Sequence, residues 1–330
     1  MRHYLLLTFL LLIAGVFIEC SLVSTNSVAY ATGTQQVKVA SFNIQVLGAK
    51  KIGKPEVLQN LLKILSRYDL VFVQEVRDSS DSAFHTLASD LNAYTAKSTG
   101  KRYNYVLSER LGRSNSKEQY GVLYNEELIK LEKTIQYNDV NNWFERPPYI
   151  FVFTLKTADA ALKSTQFAIL GCHVKPTDAV NEISHLRDVF DSFKGEKFYN
   201  NQMIMGDLNA GCSYVSKTKM QTITLRTDTR FSWLIPDSAD TTVASGDCPY
   251  DRFIVLKTMD DAKIASGSSF QISNVGVFKF DSAYGLSTAE AALVSDHYPI
   301  ELSLDTKAKI GSSSKTLADL VAEDFEKMFK

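Results

Sequence analysis

A run of apolar and amide side chains, Asn201 to Met205, stops at Gly206 and is followed by Asp207, Leu208, Asn209, Ala210 and Gly211. If the run is a strand, side chains two apart share a face, so Asp207 and Asn209 project together while Leu208 turns into the core. One carboxylate and one amide at a strand end offer hard oxygen donors to Mg2+ or Ca2+ and an N–H donor to a phosphate. The same residue types favour turns, so this segment alone supports a plain strand-to-turn junction equally well. Similar residues recur along the chain: Asn43 after Ala40-Ser41-Phe42, Glu75 after Phe72-Val73-Gln74, His173 after Leu170-Gly171-Cys172, then Asp251, and Asp296-His297. Carboxylates, amides and imidazoles at the ends of buried strands are costly unless they share a solvated cleft, a metal or a substrate.

The elements that must position these residues follow from periodicity. Residues 37–44 and 70–73 read as strands, and 55–67 and 80–93 as helices, the first with apolar Val57, Leu58, Leu61, Leu62, Ile64 and Leu65. Strand-like segments recur at 118–124, 150–155 and 166–172, then a helix at 179–193 precedes the strand that delivers Asp207. Shorter strands follow at 250–256, 270–280 and 298–304. Many strands with helices set between them predict an α/β four-layer sandwich, two packed mixed β-sheets flanked by outer helices. There is no internal repeat and no interdomain linker.

The chain has 330 residues, 45% hydrophobic and 22% charged, enough for one large domain with a full core. Its formal net charge of -1 supplies no global positive field for polyanions, so any such site must be local. Residues 1–31 have the order of a secretory signal peptide, with Arg2, an apolar stretch from Leu5 to Ile18, and small residues up to Ala31. The apolar stretch is short for a membrane span, so a secreted, extracellular protein without a membrane span is expected. If Cys20 leaves with the signal, Cys172, Cys212 and Cys248 remain, an odd count implying one bridge and one free thiol. A bridge between Cys212 and Cys248 would close a loop beside the candidate site, and Cys172, within an apolar run, reads as a small buried hydrophobe. Residues 32–305 form the expected catalytic domain. Residues 306–330 read as an extension carrying an amphipathic helix.

The sequence resembles the deoxyribonuclease I family, within the endonuclease, exonuclease and phosphatase superfamily. The resemblance runs through Ala40-Ser41-Phe42-Asn43-Ile44, Gln74-Glu75-Val76-Arg77-Asp78, Leu111-Gly112-Arg113, the Gly206 to Ala210 segment with Cys212-Ser213-Tyr214, the run from Trp233 to Thr242, Tyr250-Asp251-Arg252, and Ser295-Asp296-His297-Tyr298-Pro299. It implies a divalent metal on Glu75, with Asn43, Asp207, Asn209, Asp251 and Asp296 holding metal, phosphate or the histidines. It makes His173 and His297 the acid/base pair, Glu118 the support of His173, and Arg77, Arg113, Arg146 and Asn209 contacts to DNA. It also implies the Cys212–Cys248 disulfide, Mg2+ and Ca2+ as cofactors with Mn2+ a further candidate, and a structural calcium on Asp240 and Thr242.

The chain departs from the family's pattern in several places. Ser116 stands where mammalian members carry a minor-groove tyrosine, and Gln45 where they carry an arginine, both of which predict weaker duplex grip. Ala244 and Gly246 replace calcium-loop threonines, which predicts a weakened site. The small disulfide loop and its second calcium site are missing between Tyr137 and Arg146. Tyr149 occupies a position that is small in actin-binding members, so actin inhibition is not expected. The implied activity is that of a monomeric endonuclease on DNA, preferably double-stranded, with little sequence specificity and 5'-phosphate products. The alternative is a superfamily phosphodiesterase or phosphatase acting on a phospholipid or phosphoinositide head group.

Overall fold

The computed structural model describes residues 36–113, 117–156, 164–243, 246–260 and 270–306. The expected signal peptide, Ser116, Ala244 and all but the first residue of the 306–330 extension lie outside them.

Two six-stranded sheets carry the fold. The first has the order β11-β12-β1-β2-β4-β3 and the second β5-β6-β7-β8-β10-β9. In the first, β1 (Gln36–Leu47) lies parallel to β2 (Leu70–Val76), and β3 (Tyr103–Leu107), β4 (Gln119–Asn125), β11 (Phe270–Val277) and β12 (Ile300–Thr306) complete it. In the second, β7 (Gln166–Gly171) lies parallel to β8 (Gln202–Asp207), and β5 (Ile129–Gln136), β6 (Tyr149–Leu155), β9 (Phe231–Trp233) and β10 (Asp251–Leu256) pair antiparallel around them. Each parallel pair needs a crossover. Helix α1 (Pro55–Leu65) joins β1 to β2, and α3 (Ala179–Ser192) joins β7 to β8; α2 (Ser82–Thr95) and α4 (Thr288–Val294) add to the outer cover of the first sheet.

The layers follow from the period-two alternation of the central strands. On β2, Leu70 and Phe72 enter the core between the sheets while Val71 and Val73 pack under the outer helices. On β8, Met203 and Met205 face the same inter-sheet core and Ile204 faces the α3 layer. This is the predicted sandwich. Strands β3 and β5 and helix α4 arise where the sequence reading assigned no element; β5 is half-exposed and charge-rich, with Lys130, Glu132 and Lys133, so its period is weak.

One glycine is required at the strand that carries the opening motif. Gly206 has φ +143°, and a Cβ there would lie 1.9 Å from the Cys172 carbonyl oxygen. This close approach lets the ends of β7 and β8 run side by side, with the Val174 amide donating to the Asp207 carbonyl at 2.9 Å.

Candidate active site

At one end of the sandwich the inward rows of the central strands change from apolar to polar. On β8 the row Met203, Met205 continues to Asp207; on β10 the row Val255, Phe253 ends at Asp251, whose register partner is Asp207. The inward row of β7, Phe167 and Ile169, reaches His173 beyond the strand, and that of β4, Tyr124, Val122 and Tyr120, reaches Glu118. On β1, Val37 and Val39 lead to Ser41 and Asn43. The periodicity that builds the core therefore also delivers the site.

Three departures from regular strand complete it. Glu75 has φ +61°, which turns a side chain of the opposite row of β2 toward the same end. Gln45 and Val46 also have positive φ, at the irregularity of β1, so that the Gln45 amide donates to Asn43 Oδ1 at 2.9 Å and the Val46 amide to Glu75 Oε2 at 2.9 Å. Asn209 lies past the end of β8 with φ +48°; its amide donates to Asp207 Oδ1 at 2.9 Å and its side chain to the Val174 carbonyl at 2.9 Å. Strand alternation is thus not what gathers Asp207 and Asn209. A turn folds Asn209 back, and the segment is both the junction and the site.

Two carboxylate–imidazole pairs meet over Asp207. His173 Nδ1 is 2.8 Å from Glu118 Oε2 and its Nε2 is 3.6 Å from Asp207 Oδ2. His297 Nδ1 is 2.7 Å from Asp251 Oδ2 and its Nε2 is 3.4 Å from the same Asp207 oxygen. Asn43 Nδ2 donates to Asp207 Oδ2 and to Glu75 Oε1, each at 3.2 Å. Both imidazoles are buried, so their outer nitrogens face this cluster rather than bulk solvent.

The surroundings of the two pairs differ electrically. Burial pushes Glu118 up, but the hydrogen bond and charge of His173, with Arg146 and Arg77, outweigh it and hold the carboxyl at about 2. Burial drives the His297 imidazole down, yet the Asp251 and Asp207 carboxylates overcome it and raise it to about 10. Burial raises Asp251, with His297 pulling the other way.

Arg146 is buried, donating through Nε to the His173 carbonyl at 3.0 Å and pairing with Glu118 at 3.3 Å. This places it beneath the Glu118–His173 pair. Arg77, about one third exposed, bridges Glu118 at 2.7 Å and Glu75 at 3.5 Å, and Arg113 is exposed.

Sequence reasoning missed several supports. The Tyr120 hydroxyl accepts from the His173 amide at 2.9 Å, and Ser295 Oγ donates to the Asn43 carbonyl at 2.6 Å while accepting from the His297 amide. Lys51 Nζ joins the Ile44 and Val294 carbonyls at 3.0 and 2.9 Å, and burial lowers it to about 8 against the pull of Asp296 and Glu75. Arg252, fully buried, ties Ile235, Ala210 and Asp237 together; the Tyr-Asp-Arg motif was its only signal.

The donor set fits a divalent cation. Asp251 Oδ1 and Asp296 Oδ1 are buried and have no hydrogen-bond partner among the described residues, and ligand atoms of Asp207, Asp251 and His297 lie within 4.8 Å of one another. Glu75, Asn43, Asp207 and Asp296 are the residues that would hold it, with the free Asp251 Oδ1 adding negative charge beside Asp207 while Asp251 Oδ2 is committed to His297. The expected structural calcium does not fit. Asp240 Oδ2 already pairs with Lys279 Nζ at 2.7 Å, Asp240 Oδ1 accepts from the Thr242 amide, and the Thr242 hydroxyl donates to the Gly246 carbonyl at 2.7 Å.

Paired imidazoles and a carboxylate cluster at the open end of two packed sheets define a hydrolase of phosphate esters. Residues 40–297 match the Endonuclease/Exonuclease/phosphatase family. The chain is 39% identical over 273 residues to bovine (Bos taurus) Deoxyribonuclease-1, covering 81% of this chain and 92% of the relative. It is 38% identical over 281 residues to the human (Homo sapiens) Deoxyribonuclease-1, with 84% and 95% covered, and 37% over 290 residues to mouse (Mus musculus) Deoxyribonuclease gamma, with 86% and 90% covered. The chain belongs to the deoxyribonuclease I family. Among solved structures, D. rerio TDP2 in complex with single-strand DNA product shares the fold at TM-score 0.52 and 14% identity, covering 82% of this chain and all of that one. The Cys212–Cys248 disulfide is formed, with 5.7 Å between Cα atoms, and Cys172 is free and buried.

Proposed function

We propose that this chain is a secreted, divalent-metal-dependent endonuclease that hydrolyses DNA phosphodiester bonds with little sequence preference and leaves 5'-phosphate ends. The observation that carries the reading is the convergence of both imidazoles on one Asp207 oxygen, at 3.4 and 3.6 Å. Such a pair brackets a phosphorus from two sides. One imidazole, oriented by its carboxylate, takes a proton from the attacking water, and the other supplies a proton to the leaving 3' oxygen. A bound divalent cation, Mg2+ with Ca2+ or Mn2+ as alternatives, would neutralise charge building on the phosphoryl oxygens. Asn43 and Asn209 add amide dipoles near the phosphate, and Arg77 and Arg113 draw the strand in from the rim.

DNA as substrate rests on the relatives' own activity. Secretion rests on residues 1–31 and on the disulfide, which suits an oxidising compartment. A monomer acting on duplex DNA completes the reading.

The test is to incubate the exported protein with supercoiled plasmid and Mg2+, with and without chelator, beside sphingomyelin and phosphoinositide substrates. The expected outcome is chelator-sensitive nicking with ligatable 5'-phosphate ends. An intact plasmid together with a released lipid head group would assign the site to the other phosphodiester class.

A further inference from the structure

Asp240 to Val243 is sewn between the two halves of the Asp251–His297 pair. Thr241 Oγ1 donates to the Cys248 carbonyl and accepts from the Tyr250 and Asp251 amides, at 2.9, 3.1 and 3.2 Å. The Thr241 carbonyl accepts from the Tyr298 amide, the Val243 amide donates to the Asp296 carbonyl, and Thr242 bridges His297 in antiparallel register. The segment therefore ties the start of β10 to His297, and Asp240 leads into it. Asp240 is held by Lys279. The pair is 2.7 Å long, the Asp240 side chain is 15% exposed, and the ammonium also lies 5.5 Å from the centre of the Tyr298 ring. Hydrogen bonding to Asp240, with Asp247 and Asp281 nearby, keeps Lys279 charged.

A calcium ion needs six to eight oxygens at about 2.3–2.6 Å. The Lys279 ammonium at hydrogen-bond distance already competes for Asp240 Oδ2, and the Thr242 hydroxyl is turned toward Gly246. We propose that Lys279 is a positioning residue that serves as the built-in cation of the Asp240–Val243 segment, holding His297 in register with Asp251 without a bound calcium. The proposal rests on His297 as a proton-transfer group, but its stability readout does not depend on catalysis.

The experiment compares the full chain with Lys279→Met and Lys279→Arg. Thermal unfolding is followed in Mg2+ buffer with chelated or 1 mM calcium, and plasmid nicking is resolved into kcat and KM. Expected are a wild-type Tm that calcium leaves unmoved, a Lys279→Met chain about 2–4 °C less stable, as loss of a part-exposed pair predicts, and a kcat about tenfold lower at unchanged KM. Lys279→Arg should restore both. A wild-type Tm that climbs several degrees with calcium, or a Lys279→Met enzyme with full kcat, overturns the proposal. Should Lys279→Met not fold, the wild-type calcium titration and Lys279→Arg decide it. Failure of the nuclease reading itself would appear as no nicking by any chain while the Tm results stand.

Discussion

The Glu118–His173 and Asp251–His297 pairs follow one plan with the sheets exchanged. In the first, the first sheet supplies the carboxylate, ahead of β4, and the second sheet the imidazole, beyond β7. In the second, β10 of the second sheet supplies the carboxylate and the segment before β12 the imidazole. Each pair crosses the inter-sheet core, so closing the sandwich and assembling the site are the same event. The difference lies in what surrounds the carboxylates. Glu118 has two arginines, whereas Asp251 has none, and one of its oxygens has no partner among the described residues. The first pair is anchored by charge that belongs to the protein; the second leaves negative potential available to a cation.

The largest expected effect comes from the imidazoles. His173→Ala and His297→Ala should each lower plasmid-nicking kcat by roughly 100- to 10,000-fold, and the double variant should fall little further, because the two act in one reaction step. A His173→Ala enzyme retaining most of its turnover would leave the first pair a structural support only.

The carboxylates should separate stability from catalysis. Glu118→Gln leaves buried Arg146 without its anion, and breaking such a pair typically costs about 3–5 kcal/mol, to be read by denaturant unfolding. Asp251→Asn leaves a buried imidazole that can shed its proton, as the Arg146 guanidinium cannot, so unfolding should be destabilised less than in Glu118→Gln while kcat drops on the order of 1000-fold through loss of imidazole orientation. Equal stability losses in both variants would break the comparison.

The pairs should also govern opposite limbs of the pH–stability curve of the metal-free protein. Glu118 is depressed from its ordinary 4.5 to about 2, so its contribution is complete above 4.5 and vanishes as pH falls toward 2; 2.5 units correspond to roughly 3 kcal/mol. His297 is raised from 6.5 to about 10, so its contribution is complete below 6.5 and is lost as pH climbs toward 10. Glu118→Gln should flatten the acid limb, and His297→Gln the alkaline limb. Added Mg2+ should lower the His297 titration seen by NMR, because a cation offsets the Asp207 and Asp296 charges that raise it.

The comparison also shows what could be read in advance. Polar residues ending or flanking apolar runs exposed His173, Asp207 and Asp251 at the polar ends of inward rows, and Glu75 and His297 beside them. The exchange of sheets between the pairs depends on contacts across 55 positions for His173 and 46 for His297, which no local pattern encodes. For the same reason the place of Arg146 beneath the first pair was not foreseen, because its partners, Glu118 and the His173 carbonyl, lie about 28 positions away on either side. Positive φ at Glu75, Gln45 and Val46 was invisible, since none is a residue type that announces such backbone.

The cysteines give the smallest tests, one beside each pair. The Cys212–Cys248 bridge spans 36 positions and flanks Asp251, so its reduction should cost roughly 3–4 kcal/mol in unfolding and loosen the second pair. Cys172 lies beside the first pair, its Sγ donating weakly to the Arg146 carbonyl at 3.9 Å. Burial pushes its thiol well above the usual range, so it stays protonated and should resist alkylation until the protein unfolds. Cys172→Ala removes one buried sulfur from a packed layer, for about 1 kcal/mol, and kcat should hold. The contact it loses is Arg146's carbonyl, whereas Glu118 is held by the guanidinium. A large loss of kcat would mean that the first pair depends on packing as closely as on charge.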